Sequence, residues 1–275
     1  MIELPEAAVL VRQLNRIVPS KVIRRAVAAQ SPHKFAWYTG DPAGYSALLA
    51  GKTMGQAVRQ GGMVEIQVEG VVLLFSDGVN LRFHPSLEDT PLKHQLLIEF
   101  EDSTAMSATV SMYGGLSCFP RGTNENPYYL AAREKPSPLT EDFSREYFSG
   151  LFLPDTEKLS LKAFLATQQR IPGIGNGVLQ DILYQARLHP KMKTAALGDS
   201  GRDALFSAIQ STLGEMVDGG GRDTERDLFG NPGGYPTQMS KNTAGQPCPA
   251  CGSLVQKGNY MGGSIYFCPG CQKEG

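Results

Sequence analysis

No apolar run in the 275 residues approaches the ~20 needed to cross a bilayer. The opening MIELPEAAVL has no basic segment ahead of a long apolar core, so it does not read as a secretory signal. These two absences predict a cytoplasmic protein with no membrane partner. A basic excess is missing as well: the formal net charge is −1 and the pI is near 6.4. Phosphate neutralisation supplies most nonspecific affinity for nucleic acid, so this balance argues against a protein that coats it indiscriminately. It leaves room for a local basic face, because net charge does not fix charge distribution. Cysteine is scarce ahead of Cys248: Cys118 stands alone beside Phe119 and Pro120 and reads as a small buried hydrophobe.

What is present is an ordinary globular composition, 41% hydrophobic and 19% charged, in a chain long enough for several cores. Residues 6–18 place Ala7, Val11, Leu14 and Val18 at helical spacing, with Pro5 where a missing N–H costs nothing. From about Lys21 to Arg121, short runs rich in valine, isoleucine and phenylalanine alternate with turn signals such as EG, SDG and EDS. That pattern predicts an antiparallel sheet or sandwich with the first helix against it. The polar, proline-containing stretch 133–142 reads as a linker. Beyond it LSLKAFLATQQR, GNGVLQDILYQARLH and GRDALFSAIQSTLGEMVDG carry helical periodicity. Residues 219–247 are rich in glycine, asparagine and proline and read as an ordered loop or a flexible lead-in. The expected fold class is therefore α+β and multidomain: a β-sandwich domain over 1–132, the linker, a helical domain over 143–240 and a cysteine module over 241–275.

Cys248, Cys251, Cys268 and Cys271 form two CxxC knuckles sixteen residues apart, four soft ligands at the spacing that closes a tetrahedral site. The segment between them reads as two short strands around a glycine turn. Four thiolates leave no open position, so the spacing predicts a structural zinc. Two disulfides are the weaker reading without a secretory signal. Such a module does not by itself separate DNA, RNA and protein binding. A second motif, Gln168–Asn176, lies between two helical patterns. Gly173 and Gly175 permit a tight turn, the N–H groups opening the next helix favour an anion, and Asn176 can add a donor. A plain interhelical turn would need the same glycines.

The block QQRIPGIGNGVLQDILYQARLHP resembles the helix-two-turn-helix of formamidopyrimidine-DNA glycosylase and endonuclease VIII, through Gly173-Ile174-Gly175-Asn176 and Leu188-His189-Pro190. Three further segments resemble the same family: Glu3-Leu4-Pro5-Glu6 at the start, Lys93-His94 before a strand, and GGSIYFCPGCQ at the end of the cysteine module. The parts come in the family's order and span almost the whole chain. The resemblance implies a β-sandwich with a flanking helix, a helix-two-turn-helix domain and a β-hairpin zinc finger. It also implies base excision repair of DNA, with DNA, damaged or not of B form, as partner and a nucleoid association in a bacterium. RNA is the further candidate. Asn176, Gly173, Gly175, Lys93 and His94 become the expected nucleic-acid contacts.

The family's chemistry starts from an N-terminal proline whose amine attacks C1′ of the damaged nucleotide, while the neighbouring glutamate protonates the leaving sugar oxygen. Here Ile2 takes the proline's position. Initiator methionine is removed only before small residues, so Met1 is expected to remain and to carry its amine one residue away. The residues that would carry any surviving catalysis are Met1 and Glu3, whereas Glu6 reads as helix N-terminal charge. Other features are also unmatched. Gly62 stands where the family has a strand-entry lysine. Asp77 lies at or near the methionine that enters the base stack. Ser111–Gly115 replaces a loop with arginines that fills the void left by the extruded base, and Gly262-Gly263 sits at the hairpin tip where an arginine grips phosphate. Residues 241–275 hold three lysines and no arginine. The sequence thus predicts a nucleic-acid-binding member of the family with its proline-dependent glycosylase and lyase chemistry lost or altered. An active glycosylase/lyase using the Met1 amine and Glu3 is the alternative. A structured-RNA or protein-binding module is a third reading.

Overall fold

The computed structural model describes residues 1–273, and the chain divides into two compact units. The first comprises Met1–Arg133 with Glu225–Gly233, the second Glu134–Thr224 with Gly234–Gly275.

The first unit opens with α1 (Leu4–Ile17). Glu3 is its N-cap and forms a reciprocal capping box with Glu6, whose carboxylate accepts the Glu3 N–H at 3.2 Å. Ala7, Leu10 and Leu14 face the core at three- and four-residue spacing. There follow β1 (Ile23–Ala28), β2 (Ala36–Tyr38), α2 (Tyr45–Leu49), β3 (Met54–Gln60), β4 (Met63–Val68), β5 (Val71–His84), β6 (Leu96–Phe100), β7 (Ala105–Pro120) and α3 (Pro127–Glu134). The strands make one hydrogen-bonded sheet in the order β1-β6-β7-β5-β4-β3, and β2 pairs parallel with β7. Along β5 the side chains alternate: Val71, Leu73 and Phe75 enter the main core with α1, while Val72 and Leu74 meet Phe119 and Tyr129 on the other face. Each such aliphatic or aromatic side chain contributes about 1.5–3 kcal/mol on burial.

The SDG turn signal does not end a strand. β5 runs through Ser76-Asp77-Gly78 as a bulge, with Asp77 at φ 58° and a register shift between Asp77 and Val79. A Cβ on Gly78 would stand 2.3 Å from the Tyr113 carbonyl oxygen, so glycine here serves the close approach of β5 and β7. Likewise Ser111–Gly115 lies within β7 and is not a loop.

In the second unit the three segments of helical periodicity contain α5 (Leu161–Ala166), α6 (Val178–Gln185) and α7 (Asp199–Asp218), preceded by a helix the periodicity did not single out, α4 (Arg145–Ser149), and followed by the hairpin strands β8 (Gln256–Tyr260) and β9 (Gly263–Phe267). Ser144 and Ser160 cap α4 and α5 by accepting backbone N–H groups. Phe143, Phe148 and Phe206 pack ring against ring between α4 and α7. Buried Asp181 on α6 accepts the N–H groups of Gln238 and Met239 and so fixes the chain leading to the cysteines. The segment Glu225–Gly233 joins the first unit through Leu228, which is fully buried in that core. Its carbonyl accepts the Phe83 N–H and its own N–H donates to Gln13. Among the described residues, no helix is long and apolar enough to cross a membrane.

Candidate nucleic-acid interface and metal centre

The two expected catalytic residues, Met1 and Glu3, both lie in the first unit, Glu3 as the buried N-cap of α1. Ile2, at the expected place of the proline, is buried, and its N–H donates to the Asp77 carbonyl at 2.5 Å. The backbone is thereby fixed, and the amine of Met1 projects one residue further out, where it forms an ion pair with the Glu225 carboxylate. Met1, Ile2, Glu6, Asn80, Arg82 and Glu225 line a shallow pocket at this point. Tyr113 reaches it from β7, its hydroxyl donating to the Met1 sulfur at 3.7 Å. Burial raises the Tyr113 phenol above its usual range, and the charges of Asp77 and Glu3 add to the effect. Asp77 is itself pushed up by burial, opposed by the Ser76 hydroxyl that donates to it at 3.0 Å. Arg82 is committed to backbone carbonyls of Leu81 and Asp227. Glu225, Tyr113 and Arg82 carry no motif of their own. The sequence places Glu225 in a glycine-rich stretch, and only the return of 225–233 to this unit identifies it.

Beside the pocket, Trp37 on β2 lies 5.9 Å from the Tyr113 ring, and Trp37 is 52% exposed. Lys93 and His94 precede β6 as expected. Lys93 is exposed, whereas His94 is buried, donates its backbone N–H to the Ser31 hydroxyl oxygen and faces the Pro91 carbonyl with Nδ1 at 3.0 Å. Gly62 belongs to the β3–β4 turn.

In the second unit Gly173, Gly175 and Asn176 form the turn before α6, with Gly173 at φ 92°, a conformation that favours glycine. Asn176 donates from Nδ2 to the Ser264 carbonyl of β9 at 3.0 Å, and Gln180 bridges the same carbonyl and the Asn176 side chain. Gln180 also accepts the Tyr266 N–H. The glycine turn and the cysteine hairpin are therefore one constellation. Lys162 on α5 joins it, donating to the Tyr260 carbonyl at 2.7 Å. Lys162 is buried, and that burial lowers its ammonium pKa. Nothing in the helical pattern of LSLKAFLA distinguishes it from a solvent-facing lysine.

Cys248, Cys251, Cys268 and Cys271 converge with their sulfurs all within 4.8 Å of one another. The closer pairs, Cys251–Cys268 at 3.3 Å and Cys248–Cys271 at 3.8 Å, are too long for disulfides and suit thiolates around one tetrahedral ion. Burial and the neighbouring thiols push Cys271 up to about 12, whereas hydrogen bonds from Ser253 bring Cys251 down to about 6. Binding as four thiolates would need a cation to offset their mutual repulsion. Tyr184 on α6 meets the Cys248 sulfur at 3.3 Å, and the Gln272 side chain binds the Leu188 carbonyl, which anchors the module to the helices. Glu274 and Gly275 of the expected 241–275 module lie outside the described residues.

Comparison with known proteins follows the same lines. The family model "Formamidopyrimidine-DNA glycosylase H2TH domain" matches residues 135–227. The formamidopyrimidine-DNA glycosylase of Thermus thermophilus is 33% identical over 285 aligned residues, covering 100% of both chains. The crystal structure of the MutM (Fpg) protein of Thermus thermophilus superposes with a TM-score of 0.82 at 30% identity, covering 99% of each chain. A structure of Lactococcus lactis Fpg (MutM) with DNA containing N7-benzyl-Fapy-dG gives a TM-score of 0.83 at 25% identity, covering 98% of this chain and 99% of that one.

Proposed function

This chain belongs to the formamidopyrimidine-DNA glycosylase family of DNA repair proteins, and we propose that within it the protein binds damaged or abasic duplex DNA with the proline-dependent glycosylase and lyase chemistry lost or altered. The observation that carries this reading is at residue 2. A secondary amine would have to stand where Ile2 is a buried residue whose backbone N–H is paired with Asp77, and the Met1 amine is one residue out and ion-paired to Glu225. A displacement of 1 Å at a reacting atom costs on the order of 100-fold in rate, and a whole residue exceeds that. Binding has different requirements. Gly173, Gly175 and Asn176 take one phosphate and exposed Lys93 another, while buried His94 holds the turn that carries Lys93. A structural zinc in the four-cysteine site keeps the hairpin against Asn176. The relative from Lactococcus lactis holds lesion-containing DNA, which supports the same ligand class here.

A second reading rests on the Met1 amine itself. It lies at a solvent-facing pocket with Glu3 on the same short segment, so an amine-based lyase with Glu3 as acid is the alternative. Borohydride trapping on an abasic duplex, with a gel shift in parallel, separates the two. A salt-sensitive shift without a covalent adduct is expected. An adduct mapping to Met1 would overturn the loss of chemistry. Absence of both would turn the search to structured RNA or a protein partner.

A further inference from the structure

Trp37 is the single tryptophan of the chain, and it is 52% exposed. One exposed ring alone needs no explanation, but this one belongs to a defined row. In the sheet register Trp37 of β2 stands opposite Gly115 of β7, and Gly115 stands opposite Ser76 of β5. Cross-strand partners share a face, so the three residues lie side by side on one surface of the sheet. A Cβ built on Gly115 would lie 2.7 Å from Ser76 Oγ, and apart from Ser76 and the adjoining residues no atom comes within 4 Å of it. The sheet is therefore bare between the indole and the Ser76 hydroxyl. Tyr113 flanks the indole at 5.9 Å between ring centres and 42° between planes, and its hydroxyl reaches the Met1 sulfur. The two rings are tilted rather than stacked, so Tyr113 does not cover the indole face. Phe35, 47% exposed, adjoins the row through its carbonyl, which accepts the Gly114 N–H. Positive charge flanks these rings. Lys34 places Nζ 5.3 Å from the Phe35 ring centre. Lys93 lies on a segment bound to this one, by the Ser31 N–H on the His94 carbonyl and the Tyr38 hydroxyl on the Gln95 carbonyl. Both lysines are exposed, and among the described residues neither is in an ion pair.

We propose that Trp37 is a stacking platform for a nucleobase of single-stranded DNA, laid over the bare sheet at Gly115 with Lys34 and Lys93 beside the strand's phosphates. Every base has a ring face, and an aromatic side chain binds it with little regard to sequence. In a duplex those faces are covered by neighbouring base pairs, and extruding a base costs free energy that a single strand is spared. An open row of this kind does not enclose one extruded base, whereas it suits a strand whose bases are already free. The inference goes beyond the duplex-binding reading above and draws on a different part of the first unit. Its ring stands on β2, whereas the resemblance puts the residues that enter the base stack where this chain has Asp77 and Ser111–Gly115.

Because Trp37 is the single tryptophan, its fluorescence in the unaltered, full-length, zinc-loaded protein reports on this place alone. Titration with oligothymidylate of about 12 nucleotides is expected to quench it saturably. Trp37→Ala is expected to weaken that complex about 5- to 150-fold at fixed salt, read by anisotropy of a labelled strand. Trp37→Phe is expected to recover most of the loss. The affinity of Trp37→Ala for an abasic duplex is expected to match the parent's. Its melting temperature is expected to stay within a few degrees, because half of the ring is outside the core. Oligothymidylate binding that leaves the emission unchanged, or that survives Trp37→Ala intact, would overturn the assignment. So would a parent protein that does not bind the strand at low salt, whatever it does with the abasic duplex. Quenching that follows protein concentration without DNA, together with a dimer in sedimentation, would give this face to a second copy and overturn the assignment too. An abasic duplex that fails to shift while oligothymidylate still quenches Trp37 would sink the duplex reading and support this one.

Discussion

The amine of Met1 and the carboxylate of Glu225 form an ion pair across 224 residues of sequence, at the point where the segment 225–233 returns to the N-terminal sheet. The contact holds the amine against that carboxylate and restricts the approach of an aldehyde to it. The pair is partly exposed, so its contribution to stability is about 1 kcal/mol or less.

Glu225→Gln should therefore change the chemistry of the amine more than the fold. The expected outcome is several-fold faster reductive methylation of the Met1 amine at neutral pH, read by peptide mass spectrometry. The melting temperature should move by no more than a few degrees. Intact mass should show Met1 present in the parent protein. Unchanged methylation would mean that Glu225 does not hold the amine in solution.

Ile2 is the residue that moves the terminus outward, and it is also part of the core. Ile2→Ala deletes buried carbon that its neighbours cannot fully replace, so a loss of about 2–4 kcal/mol is expected in denaturant unfolding of the first unit. A loss below about 0.5 kcal/mol would show that the Ile2 side chain is not packed as described.

Asp77 is held above its ordinary carboxylate range by burial. A carboxyl whose folded-state pKa is raised costs stability where it is ionised, above that folded pKa. The cost fades as pH falls through the folded pKa and is gone below the unfolded value, near 3.8. Asp77→Asn should accordingly melt higher than the parent at pH 7, with the gap closing toward pH 4. A gap that widens on acidification would reverse the assignment.

Removing the metal should act on binding through the hairpin. One zinc per chain is expected, and Cys268→Ser or chelation should release the Ser264 and Tyr266 backbone from Asn176 and Gln180. The measurable result is loss of the salt-sensitive DNA shift together with a lower melting transition for the second unit. Retained DNA affinity in metal-free protein would separate the zinc site from binding.

Much of this protein is determined by sequence alone because its signals are local. Two CxxC knuckles, the proline and glutamate opening a helix, and glycines between two helical patterns each act within a few residues, where spacing and backbone preference decide geometry. The order of sheet, helices and cysteine hairpin follows from the change of hydrophobic period along the chain. Tertiary structure decided what depends on distant partners. SDG reads as a turn, yet β5 continues through it because β7 lies close enough to pair on both sides of the bulge. Lys162 reads as an ordinary helical lysine until Tyr260 and Gly263 are folded over it. Glu225 reads as loop polarity until Leu228 is buried beside α1 and brings its carboxylate to the Met1 amine. In each case the energy that fixes the contact comes from burial or pairing between segments far apart in sequence, which no local pattern encodes.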